Sequence, residues 1–170
     1  MKNKLYNCDK TPAGWTVTAD YEAVIDDVRH GVALLNHNFR NTTEMDDDND
    51  RHMPQISWDD SVDKMLLTHS VRHKAAAVMR KLSAWLATDA SGPTETGFRY
   101  VLRGNMSDIA GVAGESIRRI LAMELMADKL QNADGADSGP LCTACRNCRE
   151  WSQTLLNGLK EMFSLSENII

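Results

Sequence analysis

The sequence predicts an all-α fold, a compact bundle of about five helices, on three observations. Apolar residues recur at spacings of three and four through most of the chain. Gly, Pro and polar clusters separate the periodic stretches, and no segment reads convincingly as a strand or as an internal repeat. Length and composition agree with one folded unit, a single domain over 1–170. The chain has 170 residues, 42% hydrophobic and 25% charged, enough to bury roughly two thirds of its unfolded surface.

The first helix is expected over "TADYEAVIDDVRHGVALLNHNF". Thr18 would be the N-cap, Asp20 and Glu22 lie in the first turn, and Val24, Val28, Val32 and Leu35 form the buried face. The segment "RNTTEMDDDNDRHMPQ" then breaks all periodicity and reads as a solvated loop. At "SWDD", Ser57 would cap a long helix while Asp60 reaches back to it. In that helix Val71, Ala75, Val78, Leu82 and Trp85 form a heptad-like seam, which would serve intrachain packing or a homodimer equally well. Val62, Met65 and Leu66 lie on a shifted stripe, which implies a bend, a change of partner or two helices. Gly92 and Pro93 stop the helical pattern.

"TGFRYVLRG" reads as one or two helical turns before Gly104. Ser107 reads as another N-cap, followed by Ile109, Val112, Ala113, Ile117, Ile120, Leu121, Leu125 and Leu130 at helical spacing. After the small-residue linker 131–140, "LCTACRNCREWSQTLLNGLKEMF" forms the last amphipathic helix, within a segment 141–170 that could stand as a lobe. Its expected apolar stripe runs Leu141, Cys145, Cys148, Trp151, Leu155, Leu159, Met162.

Charge and composition narrow the function. A formal net charge of -5 and a pI near 5.5 exclude broad, unspecific attraction to nucleic acid, although not a local basic face. No run approaches the roughly 18 to 20 apolar residues of a bilayer span. Two lysines open the chain without an apolar stretch behind them, so the expected location is the cytoplasm. There the four cysteines would be free thiols or thiolate ligands. Nine Met against three Phe suit surfaces that repack around a partner.

Cys142, Cys145 and Cys148 have the two-residue gaps of zinc ligands, and a fourth ligand would have to be Cys8 or a histidine. His69 and His73, at i and i+4, point the same way on a helix. The opposing interpretation makes the three thiols small apolar side chains on the last helix, and it is favoured because no second two-cysteine unit exists. No cofactor is therefore expected, with zinc the alternative. Asp46, Asp48 and Asp50 begin like a calcium loop, but Arg51 and Ser57 stand where that loop needs Gly and Glu. The run is then a charged loop or an anionic docking surface.

"MSDIAGVAGESIRRIL", residues 106–121, resembles the helix-turn-helix of bacterial and phage transcription regulators. Asp108, Ile109, Ala110, Ala113, Gly114, Ser116, Ile117, Arg119 and Leu121 match in type and order. The stretch between the Ala-Gly pair and the Ser is roughly three residues shorter than in that family. The resemblance implies a second helix beginning near Glu115 that presents Ser116, Arg118 and Arg119 to DNA, flanked by Arg99 and Arg103. A single helix from Ser107 to Leu130 satisfies the same apolar pattern.

No phosphate loop or nucleophile elbow is found, and Glu124, Asp128, Asp26 and Asp27 sit at ordinary helix-surface spacings. The expectation is a non-enzymatic regulator that binds a macromolecule: DNA or the transcription machinery through 107–130. The first alternative is a protein-binding inhibitor or adaptor using the acidic loop and Met-rich faces. The second is a zinc-binding helical protein or a metal-dependent hydrolase.

Overall fold

The computed structural model describes residues 6–11, 14–43, 55–104, 106–133, 136 and 139–167. In chain order these form β1 (Tyr6–Thr11), β2 (Gly14–Asp20), α1 (Tyr21–Thr43), α2 (Asp60–Lys81), β3 (Gly92–Pro93), β4 (Gly97–Leu102), α3 (Ser107–Gln131) and α4 (Gly139–Glu167). The fold is therefore mostly helical but not all-α. Among the described residues four helices, rather than about five, pack with a small antiparallel sheet of order β1-β2-β4-β3.

The sheet corrects two assignments. The segment expected to form helical turns at 97–102 is a strand, and Thr18, expected to cap α1, lies inside β2. In β2 and β4 every second residue faces the helices, so Trp15, Val17 and Ala19 stand opposite Leu102, Tyr100 and Phe98 in the antiparallel register. Val17, Ala19, Phe98, Tyr100 and Leu102 are all essentially inaccessible to solvent, and the Tyr100 hydroxyl donates to the Ala75 carbonyl on α2 at 3.1 Å. The strands close tightly at Gly14, whose φ of 131° and whose approach to the Leu102 carbonyl both exclude a side chain.

α1 and α2 begin where a carboxylate satisfies their free N–H groups. Asp20, not Thr18, accepts from Ala23 N–H at the start of α1. At α2 the cap is Asp59 rather than Ser57; it accepts from the Ser61 and Val62 N–H groups, and Asp63 rather than Asp60 accepts from the Asp59 N–H at 2.7 Å. α3 starts one residue after Met106, with no side-chain cap. The segment before α2 is pinned to α1 by Asn36, which exchanges two 2.9 Å hydrogen bonds with the Ile56 backbone.

α2 runs without interruption, so the shift in its apolar pattern does not mark two helices. Leu67, Val71, Ala75 and Val78 are buried, whereas Val62, Met65 and Leu66 face outward. One core joins all four helices and the sheet, with Leu141, Leu156, Leu159 and Phe163 as the contribution of α4. Among the described residues no helix is long and apolar enough to cross a membrane.

Candidate functional site

α3 is the helix around which the site is built. Ala110, Ala113, Ile117, Leu121, Leu125 and Leu130 are fully buried, the pattern of a helix enclosed by neighbours. Gly114 is buried within it, and residues 106–121 contain no turn. The second helix expected to begin near Glu115 does not form, because the continuous apolar pattern outweighs the cost of about 1 kcal/mol for each helical glycine.

α1 passes α3 at Gly31. The space a Cβ would take there is filled by the end of the flexible Met126 side chain. α4 folds back along α3, with the Cys145 thiol 3.4 Å from the Ala127 carbonyl and the Ser152 hydroxyl donating to Glu124 Oε1 at 2.6 Å. Between α1, α3 and α4 lies a groove of about 520 Å³. Ala122, Met123 and Met126 line it from α3, and Trp151 and Leu155 from α4.

Trp151 is 63% exposed. It was expected in the buried stripe of α4, but that stripe passes instead through Ser152, Leu156 and Phe163, which leaves the indole in water beside the groove. Helical geometry gives the reason: the consecutive three-residue steps from Cys145 to Cys148 to Trp151 each fall about 60° short of a full turn on a helix of 3.6 residues per turn, which carries Trp151 off the stripe. Leu34 on α1 is similarly exposed, at 64%.

The polar part of the groove comes from Asp27, Arg118 and Arg119. Arg118 Nη1 lies 3.4 Å from Asp27 Oδ2 and Nη2 donates to Glu115 Oε1 at 3.0 Å, while Arg119 Nε donates to the same Glu115 oxygen at 2.9 Å. Burial raises Asp27 above the usual carboxylate range, and the Arg118 guanidinium offsets only part of that rise. Two guanidiniums thus meet two carboxylates, and the formal charges balance. The Arg118 side chain is 12% exposed.

The other residues singled out in the sequence fall elsewhere. Arg99 is exposed on β4 and donates from Nε to the Ala90 carbonyl at 3.1 Å, Arg103 is exposed beyond the end of that strand, and Ser116 is half-buried on α3. Cys142 is exposed, whereas Cys145 and Cys148 are half-buried on the inner side of α4. Burial, then the neighbouring Cys145, pushes the Cys148 thiol up to about 11, which keeps it protonated. Among the described residues no three His, Cys, Asp or Glu side chains are gathered to hold a metal ion. His69 and His73 stand side by side on the outside of α2, with ring centroids 4.8 Å apart. The Cys8 side chain and the acidic run at Asp46, Asp48 and Asp50 lie outside the described residues.

Set against protein-family models, curated proteins and solved structures, the chain matches none of them. The functional reading therefore rests on the groove. Sequence reasoning missed Asp27, Gly31, Met123 and Trp151 as one site; the only signal for it was the abundance of methionine.

Proposed function

We propose that the protein is a non-enzymatic regulator that binds a partner protein, and that the α1/α3/α4 groove receives an amphipathic helix of that partner. The observation that carries this reading is Trp151, a large aromatic side chain left 63% exposed beside a methionine-lined groove. Helix-in-groove recognition needs an apolar trough and a few deep anchors, and tryptophan is among the residues most enriched at binding hot spots. Flexible Met123 and Met126 side chains suit a trough that adapts to its occupant. Arg119, 62% exposed at its side chain, leaves guanidinium N–H groups for an acidic residue on the incoming helix.

This reading is preferred to DNA binding on charge. A duplex is held by cations that neutralise its phosphates, but Arg118 is mostly buried and paired with Asp27 and Glu115. The test is capture of a partner from nuclease-treated host extract by wild type, Trp151→Ala and Met123→Glu, all checked for folding by circular dichroism. Loss of one captured protein by at least ten-fold in both variants supports the groove. Unchanged capture by Trp151→Ala and Met123→Glu overturns it. Salt-sensitive DNA binding abolished by Arg118→Ala/Arg119→Ala would establish the DNA reading instead.

A further inference from the structure

The outward face of α2 differs from an ordinary solvated helix surface. Leu67, Val71, Ala75 and Val78 point into the core, and the opposite side of the same helix carries Val62, Met65, Leu66, His69 and His73. Val62 is 47%, Met65 68% and Leu66 58% exposed. A soluble helix normally places charged residues there. Asp63, the acidic residue nearest in sequence, turns inward to Lys129, and Arg72 lies over the Tyr21 ring. The face is therefore apolar around Val62, Met65 and Leu66, with the exposed Arg72 cation beside the two histidines.

The two imidazoles are free to ligate. Their ring centroids are 4.8 Å apart with the planes tilted at 53°, and neither ring makes a hydrogen bond among the described residues. Histidines one helical turn apart form a two-point chelate for zinc, which in a closed site takes four ligands in a tetrahedron. One chain supplies two, and no third His, Cys, Asp or Glu joins them among the described residues. A two-fold axis brings each residue of a self-complementary patch near its own copy, which supplies the other two imidazoles.

We propose that His69 and His73 form half of a zinc site completed by a second copy of this chain, with α2 packed against α2 and Val62, Met65 and Leu66 buried around the metal. The coordination count selects a second copy over an unrelated partner, because the same pair of ligands is then present on both sides. This face is separate from the groove on α1, α3 and α4, so the inference stands independently of the function proposed above.

The test uses untagged full-length protein, freed of metal with a chelator and titrated with zinc chloride while mass is measured by sedimentation equilibrium. The mass should double from 19.0 kDa at half an equivalent of zinc per chain. His69→Ala and His73→Ala should each abolish the zinc-dependent dimer, and Met65→Glu should weaken it at least ten-fold while circular dichroism is unchanged. Cobalt(II) in place of zinc should show imidazole ligation without thiolate charge-transfer bands. The proposal fails if the mass stays at the monomer value with zinc, if zinc-dependent dimers persist in His69→Ala/His73→Ala, or if thiolate bands place the metal at the α4 cysteines.

Discussion

Ser152 on α4 donates a 2.6 Å hydrogen bond to Glu124 Oε1 on α3, although a serine hydroxyl would not be chosen to fill a stripe between Cys148 and Leu156. The other oxygen of Glu124 lies 3.4 Å from Lys74 Nζ on α2, which also reaches Asp128 at 3.1 Å. Burial by itself would raise Glu124, but the Ser152 hydroxyl and the Lys74 ammonium together hold it below the usual range. A carboxylate depressed in the folded state adds stability that is present above its unfolded pKa and lost as pH falls through the folded one. Ser152→Ala should cost about 2 kcal/mol at pH 7, as expected for a hydrogen bond to a charged group. In urea melts that difference should shrink as pH falls below the ordinary glutamate value of 4.5.

Lys129 and Asp63 form the least exposed ion pair described, at 2.6 Å, with Asp63 also holding the Asp59 N–H at the start of α2. Removing one partner of such a pair strands the other charge away from water. Lys129→Met should destabilise by about 3 kcal/mol in denaturant unfolding. Adding Asp63→Asn, which removes the stranded charge but keeps the acceptor for Asp59, should recover part of that loss.

Two glycines should respond in opposite ways. At Gly14 the backbone has a positive φ and a Cβ would lie 1.9 Å from the Leu102 carbonyl oxygen, so Gly14→Ala should cost at least about 2 kcal/mol. Gly158 is exposed in the body of α4 with nothing near its missing Cβ. Gly158→Ala should raise stability by about 0.5 to 1 kcal/mol through helix propensity. Thermal melts of the two variants check both signs.

Thiol reactivity should follow exposure along α4. Cys142 is exposed, whereas Cys148 is half-buried with its pKa pushed to about 11 and so carries almost no thiolate at neutral pH. Brief treatment with iodoacetamide at pH 7.5 should label Cys142 well before Cys148, as read by peptide mass spectrometry. In urea the two should label at similar rates.

The helices were legible because their signal is local. Val24, Val28 and Val32 on α1, and Ala113, Ile117, Leu121 and Leu125 on α3, recur at the helical period and are buried as that period requires. Strands were not legible. β2 and β4 are only seven and six residues long, and the hydrogen bonds that make them a sheet join positions about 80 residues apart, such as Val17 and Tyr100. The same limit hid the site: Asp27, Arg118 and Trp151 come from three helices, and nothing in their separate sequence neighbourhoods relates them.

By itself, then, the sequence determined which segments coil and which stripe of most of them turns inward, since apolar side chains at the helical period leave water together. Only the tertiary structure decided that 14–20 and 97–102 pair as strands, that Ser152 displaces Trp151 from the interior, and that Arg118 is neutralised by Asp27 and Glu115. Those outcomes depend on partners distant in the chain, whose positions are set by how whole elements pack rather than by the residues beside them.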